Sequence, residues 1–170
     1  MYNKITYKDM LKIKEEIEYR KLVVRKQALE EVKEARAHGD LSENFEYKAA
    51  KQFKNQNESR IRYLERMLKT AIIIPEDSDE DEVGINDRVT LYYPADDEEE
   101  TIKVVSTIRS NSLKGRISID SPLGKAIMHH KVGDKITVTA NDNSTYEVVI
   151  KKIEKFSNEE DDEDNKINTY

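Results

Sequence analysis

The chain has 170 residues, 38% of them charged, and carries a formal net charge of -6. It contains no cysteine, which excludes disulfides, thiolate metal sites and cysteine nucleophiles. It shows no long apolar run and no signal-peptide pattern, so we expect a cytoplasmic protein without membrane association.

The first seventy residues have the pattern of two long helices. Their apolar residues recur at spacings of three, four or seven, which is typical of a narrow coiled-coil seam. The seam residues are Ile13, Ile17, Val24, Ala28, Val32 and Ala35 in the first run and Phe45, Ala49, Phe53, Ile61, Leu64, Leu68 and Ala71 in the second. Polar pairs interrupt both runs, Arg20-Lys21 and Gln56-Asn57. We predict one helix over 6–38 and a second ending near Thr70, antiparallel because only a short turn joins them.

The turn between these helices is Gly39-Asp40-Leu41-Ser42-Glu43-Asn44. A glycine just past a helix end takes the left-handed conformation that closes the last turn. Asp40 followed by Glu43 has the spacing of a capping box, which would open the second helix. A second interpretation is open as well. At the end of a long hairpin, two carboxylates cannot complete a Mg²⁺ site, but they can donate oxygens to an ion that another molecule holds.

The second half of the chain predicts a small sheet. Its apolar period changes to two, which is typical of strands. The predicted strands are Arg88–Tyr93, Thr101–Thr107, Gly115–Ile119, Lys135–Thr139 and Tyr146–Ile153. Residues 121–128, with Pro122 near their start, predict one short helix. The fold class is therefore α+β, with an N-terminal antiparallel coiled-coil hairpin followed by an antiparallel β-sheet domain that carries a short helix.

The charge pattern divides the chain into four segments. Residues 1–70 hold 17 Lys and Arg against 12 Asp and Glu, whereas the remainder holds 12 against 23. We predict a coiled-coil domain at 1–74 and an acidic linker at 75–86, whose charge density opposes packing. A sheet domain at 87–156 follows, and then an acidic disordered tail at 157–170.

A basic stripe is the remaining feature of the second helix. Lys48, Lys51 and Lys54 follow one another at spacings of three, with Tyr47 and Phe53 interleaved. Such a stripe is typical of nucleic-acid contact, and a solvated helix face explains it equally well. The chain has no Ser/His/Asp grouping and no glycine-rich phosphate loop.

Two motifs resemble a known family. The first is the run Glu34-Ala35-Arg36…His38-Gly39-Asp40-Leu41-Ser42-Glu43-Asn44…Glu46-Tyr47…Ala49-Ala50-Lys51. The second is Asp120-Ser121-Pro122-Leu123-Gly124-Lys125-Ala126 followed by Lys131-Val132-Gly133-Asp134. Together they are similar to the tip signature and the C-terminal motif of the bacterial GreA/GreB transcript-cleavage factors. The resemblance favours the GreA branch, although His129-His130 stands where GreA proteins commonly have a glycine-containing pair, which leaves the subtype open.

The resemblance implies an FKBP-like C-terminal domain and binding to RNA polymerase at the rim of its secondary channel. The coiled coil would enter the channel and stimulate the polymerase to cleave the 3′ end of nascent RNA in backtracked complexes, so the protein is not itself an enzyme. Asp40 and Glu43 would help hold the second Mg²⁺ of the polymerase, and the protein would have no cofactor of its own.

The resemblance also implies a docking surface. Asp120 and Pro122, with Ser121 between them, match positions that contact polymerase in the family. The partners would then be RNA polymerase and the DNA and RNA of the transcription elongation complex, with the basic residues Lys48, Lys51 and Lys54 near phosphate-bearing RNA. We expect the protein to be a monomer.

Two other function classes remain as alternatives. One is a regulator that binds in the channel without stimulating cleavage, which an altered tip would indicate; here both tip carboxylates are present. The other is a peptidyl-prolyl isomerase, suggested only by the FKBP-like domain. That activity needs an aromatic-lined pocket, and the chain has no Trp. Between Pro75 and the tail its aromatic residues are Tyr92, Tyr93, Tyr146 and Phe156.

Overall fold

The computed structural model describes residues 2–39, 44–156 and 167. The predicted metal-assisting residues Asp40 and Glu43, and the predicted tail apart from Ile167, lie outside the described residues. The chain divides into two compact units, named here the helical unit (Met1–Tyr2 and Tyr7–Ile72) and the sheet unit (Asn3–Thr6 and Ile73–Tyr170). None of the helices within the described ranges is long and apolar enough to cross a membrane.

The helical unit is a hairpin. Its first arm consists of α1 (Tyr7–Tyr19), a π-helical turn (Arg20–Val24) and α2 (Arg25–Ala37). Its second arm is the single helix α3 (Phe45–Thr70). Because the chain reverses between Ala37 and Phe45 and α2 packs along α3, the two arms are antiparallel, as predicted.

The seam between the arms follows the predicted pattern in the first arm and departs from it in the second. Ile61 and Leu64 are buried as expected, but Phe45 is 81% exposed and Phe53 is 37% exposed. Ala50 is buried instead, seven residues before the buried Asn57. The seam positions predicted for the first half of α3 are therefore wrong. They follow from apolar residues alone, whereas the polar Asn57 is one of the residues that face the first arm.

The polar interruptions of the two arms face each other. Asn57 is only 3% exposed; its Oδ1 accepts a hydrogen bond from Arg20 Nη1 (3.1 Å) and its Nδ2 donates to the Arg20 carbonyl (3.3 Å). The same carbonyl accepts the N–H of Arg25, which is the i to i−5 bond of the π-helical turn. Both the oxygen and the nitrogen of the buried Asn57 amide have hydrogen-bond partners on Arg20. The contact between these two residues therefore fixes the register of the two arms at little cost in stability.

Glu16 provides the main ionic link between the arms. Its Oε1 accepts from Arg20 Nε (2.8 Å) and Arg60 Nε (2.9 Å), and its Oε2 accepts from Arg60 Nη2 (3.2 Å). Burial raises the pKa of the Glu16 carboxyl, but the bonds from Arg60 and Arg20 outweigh it, so the pKa lies below its ordinary value. A second bidentate pair, Arg25 with Glu58 (2.7 and 3.0 Å), lies further along the hairpin.

The sheet unit contains one large sheet and one short helix. Near the start of the chain lies the short strand β1 (Lys4–Ile5), and the carbonyl of Ile5 accepts a hydrogen bond from the N–H of Ile74 (2.9 Å), the residue after β2 (Ile72–Ile73). The large sheet has the order β5-β4-β3-β7-β6. Its strands are β3 (Arg88–Tyr93), β4 (Glu98–Val105), β5 (Arg116–Ser118), β6 (Lys135–Thr139) and β7 (Thr145–Glu154), and the helix is α4 (Pro122–Ile127).

The large sheet is mixed, so the predicted all-antiparallel sheet is wrong at one edge. β4 pairs with β5 in parallel, with Val104 opposite Ile117. The cause lies in the connection, where two 3-10 turns at Thr107–Arg109 and Ser112–Lys114 carry the chain back before β5 begins. The α+β class itself is confirmed: a helical hairpin is followed by a sheet with one short helix.

The end of the predicted acidic linker belongs to the core of the sheet unit. Val83 is wholly buried and Ile85 is 6% exposed, and both pack in the cluster that contains Leu91 and Ile150. The Val83 N–H donates to the carbonyl of His130 (2.9 Å). The expectation that residues 75–86 do not pack is therefore wrong for their last part, because two apolar side chains there outweigh the preceding acidic run.

Candidate functional site

The first candidate site lies at the closed end of the hairpin. Gly39 follows α2 with φ +135°, a region that side-chain-bearing residues rarely adopt, and a β-carbon there would meet no neighbouring atom. Glycine is therefore favoured at position 39 by the backbone conformation and not by a lack of space for a side chain. Just before it, the N–H of His38 donates to the Ala35 carbonyl (3.3 Å) and closes α2.

Asn44 opens the second arm. Its Oδ1 accepts a hydrogen bond from the N–H of Tyr47 (3.0 Å), and its Nδ2 donates to the carbonyl of Ala35 at the end of α2 (2.7 Å). The predicted capping box is therefore wrong: α3 begins at Phe45 with Asn44 as its cap, not at the residue after Asp40. Asp40 and Glu43 lie outside the described residues.

One side of this end is basic. The Arg36 guanidinium lies 5.5 Å from the centroid of the Tyr47 ring and lowers the pKa of the Tyr47 hydroxyl below its ordinary value. The charges of Lys51 and Lys54, which follow Tyr47 by four and seven residues on the same face of α3, lower this pKa further. Lys48, the third lysine of the predicted stripe, instead lies over the exposed Phe45 ring, 5.6 Å from its centroid.

The other side is acidic, which sequence reasoning missed. A cavity of about 420 Å³ lies between the arms. Its lining includes Glu31 and Glu34 on α2, Glu46 in the first turn of α3, and His38. The sequence does carry a signal for this acidic side. Glu31 and Glu34 are about one helical turn apart on α2, and Glu46 lies two residues after Asn44, where the turn between the helices ends. Within the described ranges, no three His, Asp or Glu side chains form a group that could hold a metal ion.

The second candidate site is the predicted docking motif in the sheet unit. Ser121 caps α4: its Oγ accepts from the Gly124 N–H (3.0 Å) and donates to the Ser118 carbonyl (2.7 Å). Pro122 occupies the first turn of α4, where a missing N–H costs nothing. A β-carbon on Gly124 would lie 2.0 Å from the Ser118 carbonyl oxygen, so only glycine fits beneath this turn.

Asp120 is held by a residue from the start of the chain. Its Oδ1 accepts a hydrogen bond from Lys4 Nζ (2.8 Å), and 20% of its side chain is exposed. The backbone N–H of Asp120 also donates to Ser118 Oγ (3.1 Å). The structure thus brings Asp120, Ser121 and Pro122 together in one rigid turn, while the lysine partner is 116 residues away and carries no local signal in the sequence.

Comparisons with known proteins decide the family. The model of the N-terminal domain of transcription elongation factors matches residues 3–73, and that of the GreA/GreB C-terminal domain matches residues 77–155. Transcription elongation factor GreA of Geobacillus kaustophilus is 44% identical over 128 residues, which cover 75% of this chain and 81% of that relative. The chain belongs to the GreA/GreB family of transcription elongation factors. The family resemblance inferred from the two motifs is thereby confirmed.

The chain is also similar to a second GreA protein and to a solved structure. GreA of Thermoanaerobacter pseudethanolicus is 42% identical over 135 residues, covering 79% of this chain and 86% of the relative. Among solved structures, the GreA factor homolog 1 (Gfh1) of Thermus thermophilus is 29% identical and covers 91% of this chain and all of that one, with a TM-score of 0.43.

Proposed function

We propose that this GreA/GreB-family chain binds RNA polymerase at its secondary channel and stimulates cleavage of the 3′ end of backtracked RNA. The observation that carries the proposal is the match of the chain to the GreA/GreB family over residues 3–73 and 77–155. The side chain of Asn44 caps α3, so this helix begins at Phe45 and not after Asp40. Charged residues on a connecting loop are candidates for a role outside the molecule.

The donor set fits a shared magnesium ion. Asp40 and Glu43 supply two hard carboxylate oxygens, the ligand type that Mg²⁺ prefers, and too few for a complete site. The remaining ligands would come from the polymerase. A second Mg²⁺ held there would supply charge stabilisation and an activated water for phosphodiester hydrolysis. The chain therefore acts as a donor of ligands and not as a nuclease of its own.

The hairpin has the dimensions and charge that this role requires. The 26 residues of α3 give a length of about 39 Å, enough to reach into a deep channel. Arg36, Lys51 and Lys54 form a basic side at its closed end, which suits contact with the phosphates of extruded RNA. Lys48, over the Phe45 ring, adds a further cation near the start of α3.

Docking is assigned to the sheet unit. Asp120, Ser121 and Pro122 lie in one hydrogen-bonded turn, so a partner would meet a preformed surface. A cavity of the sheet unit is lined by cations such as Arg88 and Lys103 rather than by aromatic rings, so it gives the competing isomerase activity no support. We propose that one copy of the chain acts on one polymerase.

The test is a backtracked elongation complex carrying RNA labelled at its 5′ end. Adding the protein with Mg²⁺ should produce shortened RNA that the polymerase can extend again. The protein with labelled RNA but without polymerase should produce none. If the protein displaces a known channel ligand yet leaves the RNA uncut, the chain is a docking regulator, and the cleavage role is wrong.

A further inference from the structure

The first arm of the hairpin carries a row of exposed apolar side chains outside its seam. Leu22 and Val23 lie in the π-helical turn and Tyr19 directly precedes it; all three are exposed, Leu22 to 65%. Leu11 lies about three helical turns before Leu22 and Leu29 about two turns after it, and both are exposed as well. Single exposed apolar residues are ordinary, but a row of them along one arm indicates an interaction surface.

Charges of opposite sign flank the centre of this row. Glu18 precedes Leu22 by four residues and Lys26 follows it by four, so both lie on the same side of the arm as Leu22. Both of these charged residues are exposed. We name the set Leu11, Glu18, Leu22, Lys26 and Leu29 the outer stripe. It carries a negative charge on one side of Leu22 and a positive charge on the other.

The outer stripe is complementary to itself in the antiparallel orientation. If two copies pack about a two-fold axis at Leu22, Glu18 of each copy faces Lys26 of the other. Leu22 then meets Leu22 of the second copy, and Leu11 lies within about one helical turn of Leu29 of the second copy. A parallel arrangement would instead place Glu18 against Glu18 and Lys26 against Lys26, and like charges repel.

We propose that this protein, when not bound to polymerase, self-associates through the outer stripe into an antiparallel dimer. The partner is a second copy because the stripe supplies both halves of each contact, leucine to leucine and acid to base. Five partly exposed side chains offer less area than the about 800 Å² per partner of a standard interface. The association is therefore weak, and the dimer exchanges with single chains as the protein concentration changes.

The consequence of dimerisation rests on the proposed function. Side chains of the outer stripe that a second copy covers cannot contact the wall of a channel at the same time. The dimer is then a reserve form, and its dissociation releases the single copy that acts on polymerase. Dilution and binding to polymerase both favour the single chain by mass action.

The test is sedimentation equilibrium of the full-length protein, which uses no polymerase and is therefore independent of the proposed function. From about 1 µM to about 200 µM, the weight-average mass of the wild type should rise toward twice that of one chain. Leu22→Glu should stay monomeric over the same range, and because Leu22 is largely exposed, its helix content by circular dichroism should not change. The matched control is Leu113→Glu, at a leucine of the sheet unit that is 98% exposed, which should dimerise like the wild type.

Charge reversal tests the antiparallel register. Glu18→Lys and Lys26→Glu, each alone, place like charges opposite each other and should weaken dimerisation roughly tenfold. Mixed in equal amounts, the two variants should associate as well as the wild type, because each stripe then faces opposite charges. A wild type that stays monomeric throughout the range, or a dimer that survives Leu22→Glu, would overturn the proposal. If the wild type is monomeric and Leu22→Glu binds polymerase more weakly, the outer stripe belongs to the polymerase interface instead.

Discussion

Asn44 Oδ1 accepts a hydrogen bond from the backbone N–H of Tyr47 at 3.0 Å, and this bond starts the second arm of the hairpin. The same side chain donates from Nδ2 to the carbonyl of Ala35 (2.7 Å), the residue that ends the seam of the first arm. One amide therefore joins the end of α2 to the start of α3, on either side of residues 40–43.

Removing this amide should loosen the tip. We predict that Asn44→Ala lowers the free energy of unfolding by about 1 kcal/mol, the usual cost of a lost helix cap. Asn44→Asp keeps the accepting oxygen but not the donor to Ala35, so it should keep the cap and lose only the link between the arms. Urea denaturation, monitored by far-UV circular dichroism, measures the free energy of unfolding of both variants. Equal losses of stability in the two variants would contradict separate roles for the cap and for the link to Ala35.

The link between Glu16 and Arg60 should stabilise the hairpin. Glu16→Gln keeps the shape of the side chain but leaves the buried Arg60 guanidinium facing a neutral amide. We predict a loss of about 1.5–3 kcal/mol in unfolding free energy, the range for hydrogen bonds to charged groups. The matched control is Glu15→Gln, an exposed neighbour, which should change stability by less than about 0.5 kcal/mol.

The same carboxylate predicts an acid limit. The folded pKa of Glu16 lies below its ordinary value of 4.5, so the unfolded chain binds a proton more readily than the folded one. The stabilisation is then fully present above pH 4.5 and is lost as the pH falls through the folded pKa. Unfolding free energies measured from pH 6 downward should decline less steeply for Glu16→Gln than for the wild type. If the unfolding free energies of Glu16→Gln and of the wild type fell equally steeply with pH, the lowered pKa would not belong to Glu16.

The docking turn can be tested without disturbing its fold. Asp120→Asn keeps the backbone turn and removes one charge, and we predict that polymerase binds this variant roughly tenfold more weakly, a loss of about 1.4 kcal/mol. Lys4→Met removes the other half of the ion pair and leaves Asp120 charged. That control should bind polymerase at least as well as the wild type. If the Asp120→Asn variant bound polymerase with wild-type affinity, Asp120 would not be part of the interface with polymerase.

The sequence predicts the helices and most strands well because their signals are local. Seam spacing places Ile13, Ile61 and Leu64 in the core, and β3 and β6 have the predicted bounds. It fails where partners are distant. The parallel pairing of β5 depends on how two short turns redirect the chain, and no periodicity encodes that.

The candidate site shows the same limit. The family motif predicts roles for Asp40, Glu43 and the turn at Asp120, whereas capping rules assign the start of α3 to the wrong residue. Asn44 is an equally good cap by type, and only the hydrogen bond to Tyr47 decides between the two. The contact of Lys4 with Asp120 joins residues 116 apart and could not be inferred.

The most direct measurement is the rate of RNA cleavage in a backtracked elongation complex saturated with Asp40→Asn/Glu43→Gln protein. We predict a loss of stimulation of about a hundredfold, equivalent to about 2.7 kcal/mol, with polymerase affinity nearly unchanged, because only the charged oxygens offered to Mg²⁺ are removed. Glu30→Gln, an exposed acid on α2, is the control and should stimulate normally. Full stimulation by the double variant would contradict the metal-assisting role of the tip.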